Sequence, residues 1–274
     1  MTKLLLLLSV AILAFESGAT SVTCKSFYAN QSRVEIEKAI EETLYIGIPI
    51  SVKPFSANGN RNSLWLVTLE NPKTKQVITA LFKPRYLGDG DGWNRVTMEY
   101  ASYEVAKLLG MENIPPVAYR YNLTIGGQFF HEGSMQYFVK GAKLLKEVEK
   151  KNWNVDSDYF ISDARIIDIL LQNPDRHAGN FIYGPHWIDG VSRPFLIDQA
   201  ANMRKGTNMR LSTKGPFNDR LIDNFNPKTV RNLRQITAEK LSITFPFMSR
   251  EEIRRVIHHR DGIISFIDSR SSGK

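Results

Sequence analysis

Apolar and polar positions along this chain change their period near residue 140. Before it, apolar residues fall in short, alternating runs; after it, they recur every three to four positions. "SLWLVTLE" (63–70) and "QVITALFKP" (76–84) flank the turn "NPKTK" and predict a β-hairpin. In the second run Val77, Thr79, Leu81 and Lys83 share one face, because side chains alternate along a strand. The same alternation predicts strands within "LYIGIPISV" (44–52) and over 117–124, 128–130 and 135–139, after a short helix over 34–42. "NRVTMEYASYEVAKLLG" (94–110) predicts a helix: Ala101, Val105 and Leu108 repeat at i, i+4 and i+7, and Gly110 stands at the C-cap. A second helix is expected in "SDYFISDARIIDILLQN" (157–173). Phe160, Ala164, Ile167 and Leu171 make its stripe, and Asp156 or Ser157 its N-cap. The chain thus reads as α+β and two-lobed. Residues 1–19 form a leader, 20–45 an N-terminal segment, 46–140 a strand-rich lobe and 141–274 a helical lobe.

Pro174 disfavours helix at the residue before it, so 175–180 is a loop. "NFIYG" and "PFLID" then read as two strands joined through "PHWIDGVSR". If they pair antiparallel, Asn180 at the start of the first lies beside Asp198 at the end of the second. Two oxygen ligands at a hairpin mouth suit a hard cation such as Mg²⁺. An Asp, an Asn five residues on and a second Asp across a hairpin is the set that phosphoryl transfer uses. The first Asp orients the acceptor hydroxyl; the other two residues hold metal. Here those are Asp175, Asn180 and Asp198. The same chemistry needs a strand-ending lysine paired with a helical carboxylate. Lys83 and Glu99 supply these in the right order, and Glu99 is preferred to Glu104 because Tyr103 and Ala106 complete its semi-buried stripe. His177 has no His or Cys at a ligand spacing, so it packs the loop while Arg176 binds a nearby carboxylate.

Composition adds less. With 42% hydrophobic and 23% charged residues the chain can build a sizeable core, and the net charge of +8 leans towards anionic partners. No basic tract interleaved with aromatics is present, which argues against nucleic acid. "MTKLLLLLSVAILAFESGATS" has the layout of a secretory signal cleaved after Ala19, its apolar run too short to span a bilayer. Asn30 and Asn122 head glycosylation sequons consistent with export, and the single Cys24 allows no disulfide within the chain. Near the C-terminus a helix opens on a capping box, Ser249 and Glu252. Arg254, Arg255, His258, His259 and Arg260 are expected on one basic face, either solvated or a docking site for an acidic substrate or a membrane surface.

The blocks "ALFKP", "MEYASYEVAKLLGMENIPPV", "GSMQYFVKGA", "DARIIDILLQNPDRHAGNFIYG" and "FLIDQA" resemble, in order, those of the atypical kinase superfamily. That group includes type II phosphatidylinositol 4-kinases, HipA-like kinases and the secretory-pathway kinases of the Golgi casein kinase, xylosylkinase and four-jointed types. The resemblance covers about residues 50–200. It implies a two-lobed kinase-like fold with ATP and Mg²⁺ or Mn²⁺ as cofactors. By it Lys83 meets the nucleotide phosphates with Glu99 as partner, Asp175 is the catalytic residue, and Asn180 and Asp198 are the metal ligands. Gln136, Phe138 and Val139 would form the hinge at adenine. The phosphate-covering loop would be 56–63, through Ser56, Asn58 and Gly59. It departs from protein kinases in lacking a glycine-rich motif and in carrying "DQA" in place of D-F-G. The implied acceptor is a hydroxyl of a secreted or lumenal protein, then of a glycan, with a phosphoinositide third. Nucleotidyl transfer and a catalytically silent nucleotide-binding partner are the alternatives.

Overall fold

The computed structural model describes residues 32–56, 64–85, 94–204, 206–209 and 224–271. Residues 33–274 make one compact unit, and residues 1–32 another. Of the second of these only Ser32 is described, so the expected leader over residues 1–19, Cys24 and Asn30 lie outside the described residues.

Strands β1 (Ile48–Phe55), β2 (Leu64–Glu70), β3 (Val77–Pro84), β4 (Val117–Ile125) and β5 (Gln128–Tyr137) form a sheet in the order β1-β2-β3-β5-β4. Every neighbouring pair is antiparallel. β2 and β3 form the expected hairpin, from Trp65 opposite Phe82 to Glu70 opposite Val77. The face bearing Val67, Leu69, Ala80, Phe82 and Met135 is fully buried. The opposite face, with Leu66, Thr79, Leu81 and Lys83, is only half-buried. Helix α1 (Arg33–Ile46) packs against β2, β3, β4 and β5 and buries Ile36, Ile40 and Leu44. Each such side chain contributes about 1.5–3 kcal/mol.

Two strand expectations are corrected. Residues 44–46 belong to α1, not to a strand, because Leu44 continues the helix's buried stripe; β1 starts only after Gly47. β1 carries Pro49 and Pro54, which an edge strand tolerates, and an edge is where it sits. Residues 128–130 and 135–137 are not separate segments but one strand. β5 is paired on both sides, by β3 and β4, and this ladder carries it through polar residues 131–134. Gly133 is required there, since a Cβ would strike the Phe82 ring and the Lys83 carbonyl.

A second sheet, β6 (Lys143–Leu144), β7 (Phe181–Pro185) and β8 (Ser192–Leu196), is small. Helices α2 (Val96–Leu109), α3 (Ser157–Leu170), α4 (Pro227–Leu233), α5 (Ala238–Thr244) and α6 (Arg250–Ser271) complete the fold. The main core joins α2, α3 and α6 through residues such as Ala101, Leu109, Ile166, Leu170 and Ile263. α3 is buried at every position from Phe160 to Leu170, not along one stripe, and so takes Asp163, Arg165 and Asp168 inside with it. Its N-cap is Asp156, which accepts from the Asp158 and Tyr159 N–H groups. Of the described residues 41% are helical and 26% in strands, so the class is mixed α+β, as expected. Among the described residues no helix is long and apolar enough to cross a membrane.

The basic face expected on α6 does not exist as a continuous surface. The capping box forms, the Ser249 N–H donating to Glu252 Oε2 at 2.8 Å and the Glu252 N–H to Ser249 Oγ at 3.2 Å. Arg255 then turns inward to the Met203 carbonyl, His259 lies 3.3 Å from the Leu170 carbonyl, and Arg260 reaches the Ile236 carbonyl. Arg254 and His258 stay exposed, so the expected face is split between the two sides of the helix.

Candidate functional site

The alternation that ends β3 delivers Lys83 to the half-buried face of the sheet, and α2 delivers Glu99 one turn from its own N-terminus. The two side chains pair, 12% and 4% exposed respectively. The ammonium's second partner is Asp198 Oδ1 at 2.7 Å. The Glu99 carboxylate is completed from the other side by the Gln199 N–H, donating to Oε2 at 2.9 Å. Burial by itself would lower the Lys83 pKa, but Glu99 and Asp198 outweigh it, so the ammonium is held firmly protonated. Lys83 in turn is the largest influence on Asp198 and holds its carboxyl below the usual range. Glu104, the rival carboxylate, faces away and lies 3.6 Å from Lys107.

Burying a lysine against two carboxylates adds little net stability, because desolvation consumes most of the Coulombic gain. Such a triad is therefore more informative as a poised site than as a fold stabiliser. Backbone conformation points the same way. Asp198 has φ +59°, a left-handed conformation that costs a non-glycine residue about 1 kcal/mol or more. That turn directs the carboxylate to Lys83 while leaving the side chain 47% exposed.

The hairpin argument is realised. Phe181 opposes Leu196 in the β7–β8 ladder, and the Ile197 N–H donates to the Asn180 carbonyl at 3.0 Å. Asp198 is the next residue. The loop between α3 and β7 is fixed by internal bonds: Asp175 N–H to Asn173 Oδ1 and Asn180 Nδ2 to the Asp175 carbonyl, both at 3.0 Å. Arg176 is the staple beneath it, its side chain 2% exposed. Its Nε donates to both oxygens of Asp168 at 3.1 and 3.2 Å, Nη1 to the Ile197 carbonyl at 2.8 Å and Nη2 to Gln199 Oε1 at 2.7 Å. His177 plays the packing part expected of it, accepting the Gly179 N–H through Nδ1 at 3.0 Å. The half-buried Asp175 carboxylate has no hydrogen-bond partner among the described residues. It is thereby left available to a ligand.

Sheet register puts the β1–β2 connection at the Lys83 end of β3, since Phe55 opposes Leu64 and Trp65 opposes Phe82. Ser56, the first residue of that connection, is exposed; Asn58 and Gly59 lie outside the described residues. The Phe55 ring meets the Phe138 ring edge-on, centroids 5.9 Å apart. Gln136 shares the face of Leu81, its cross-strand partner, and its Nε2 is buried without an acceptor among the described residues. The Phe138 N–H is spent on the Thr79 carbonyl at 2.9 Å, extending the β3–β5 ladder. Of the main-chain N–H groups of Phe138 and Val139 in the expected hinge, only that of Val139 has no acceptor among the described residues.

Among the described residues no three His, Cys, Asp or Glu side chains are grouped to hold a metal ion. A set of one carboxylate and one amide oxygen does not need such a group, because phosphate and water oxygens complete it. The donors fit a hard cation. The buried Asn180 amide spends its nitrogen on the Asp175 carbonyl and so keeps its oxygen as an acceptor, and Asp198 keeps an exposed carboxylate.

No protein-family model matches this chain, and no curated protein matches it. The reading of the site therefore stands on its own geometry. Sequence reasoning missed Gln199, Asn202 and Ser102, which tie Asp198's turn to α2. The available signal was the pair of uncharged polar residues Gln199 and Asn202, three apart in "DQAAN", matched by Glu99 and Ser102, three apart in α2.

Proposed function

We propose that this chain is a kinase-like phosphotransferase of two lobes that transfers the γ-phosphoryl group of ATP to a hydroxyl. The observation that carries the reading is the buried Lys83 ammonium, held between Glu99 and Asp198 at the C-terminal end of the central strand β3. In this reading Lys83 swings no charge into water when nucleotide arrives. It exchanges part of its contact with Asp198 for phosphate oxygens, while Glu99, pinned by the Gln199 N–H, keeps it aimed. Asp175 accepts the proton of the acceptor hydroxyl, and the bonds from Asn173 and Asn180 fix its loop. Asn180 and Asp198 would hold Mg²⁺ or Mn²⁺, which when bound neutralises phosphate charge. Val139 N–H offers the base a main-chain donor, and Phe55 and Phe138 an apolar wall. We propose a protein hydroxyl in the secretory route as acceptor, on the strength of the leader-like first 19 residues, with glycan hydroxyls next.

The test is transfer from γ-labelled ATP by the purified chain, to itself and to a panel of secreted proteins, glycans and phosphoinositides. Label should appear only with a divalent cation. Asp175→Asn should lower transfer by about 10²–10⁴-fold, the range of general-base catalysis. ATP binding without any transfer would leave a nucleotide-binding protein and sink the enzyme claim.

A further inference from the structure

We infer that Gln199 is a positioning residue that couples the Lys83–Glu99 pair to the Asp175 loop through a polar seam; this rests on the phosphotransferase reading. Gln199 is completely buried, directly after Asp198. Its main-chain N–H holds Glu99, and its side-chain Oε1 accepts from Arg176 Nη2 at 2.7 Å. Two further donors approach the same oxygen, Asn173 Nδ2 at 3.4 Å and Asn202 Nδ2 at 3.5 Å. Arg176 in turn clamps the Asn180 and Ile197 carbonyls. One residue thus touches α2 with its backbone and the loop with its side chain.

The seam continues along α2. Glu99 and Ser102 are three apart and share a face, as are the residues that meet them, Gln199 and Asn202. Asn202 Nδ2 donates to Ser102 Oγ at 2.7 Å, and the Arg95 N–H at the helix start donates to the Ala200 carbonyl at 2.9 Å. α6 closes the arrangement from behind, Arg95 pairing with Glu252 at 2.5 Å. An apolar side chain at residue 199 would fill the same space but could not accept from a buried guanidinium. Placement of Asp175 and of Glu99 is therefore linked by directional bonds inside the chain. The linkage asks for no added phosphate group.

The chemistry singles out the acceptor. Gln199 Nε2 is buried without a partner among the described residues, so only Oε1 does the coupling. Gln199→Met keeps the volume and removes that acceptor, whereas Gln199→Glu keeps an acceptor for Arg176. With the whole chain, Gln199→Met should lower turnover of ATP by about tenfold or more, as misplacement of a reacting group does. Its KM for ATP should stay within about threefold, because Lys83 and Asp198 are untouched. Gln199→Glu should recover most of the turnover. Amide exchange in 96–103 and 173–181 should quicken together in Gln199→Met and return in Gln199→Glu, with thermal midpoints as the folding control. Faster exchange in only one of the two segments, or equal loss in both variants, would overturn the coupling. If the unmodified chain turns over no ATP, the phosphotransferase reading fails, and the exchange measurement still decides whether Gln199 links α2 to the loop.

Discussion

Asp163 and Asp168 lie on the same buried helix, where burial pushes both carboxyls up, but they meet different partners. Asp168 is met by Arg176 through both of its oxygens, whereas Asp163 has an uncharged donor, Asn226 Nδ2 at 3.2 Å. Burial pushes the Asp163 carboxyl up to about 6, against the pull of Thr229, Asn226 and the Lys228 charge. The folded chain therefore holds this proton to higher pH than the unfolded chain does. Its contribution to stability is full below the unfolded value and is lost as pH rises through about 6. Asp163→Asn should remove that loss, stabilising the protein by on the order of 2 kcal/mol at about pH 7.5 and by less at about pH 5. Urea midpoints at the two pH values check it; an equal effect at both would contradict it. Asp168→Asn should do the reverse, leaving the Arg176 guanidinium buried and unbalanced at a cost of about 3–5 kcal/mol. The same urea titration reads it out. In the sequence these two residues looked alike, each an Asp within "SDARIIDIL". Their difference lies in partners distant along the chain, which periodicity does not record.

At the scale of elements, the signals that are local in the sequence carried through and the non-local ones did not. The β2–β3 hairpin, α2 with its Gly110 cap at φ +73° and the capping box of α6 all follow from residues within a turn or two. The preference for Glu99 over Glu104 was also legible, because Tyr103 and Ala106 on its stripe are buried at 2% and 1% exposure. β5 was not, since its middle is held by two neighbours rather than by its own alternation. Nor was the inward turn of Arg255, His259 and Arg260, which depends on which carbonyls α6 happens to cover. A prediction belongs to α3, which feeds the Asp175 loop. Asp156→Ala removes the acceptor for two N–H groups and should cost about 1 kcal/mol, seen as a lower thermal midpoint. No change in that midpoint would mean that packing alone sets the helix start.

For the molecule as a whole, the sheet's half-buried face, α2 and the β7–β8 hairpin converge on one ammonium and two carboxylates. The triad of Lys83, Glu99 and Asp198, with Asn180 beside the hairpin mouth, is assembled from segments up to about 115 residues apart. Chain order made each part recognisable; only the fold brings Asp198 to Lys83. The most direct measurement is calorimetric titration of ATP into the full chain with and without Mg²⁺, repeated for Asp198→Ala. The account predicts divalent-dependent binding in the unmodified chain. In the variant that dependence should be lost, with the far-ultraviolet circular dichroism unchanged. Metal-dependent binding of equal strength in both chains, or none in the unmodified chain, would contradict it.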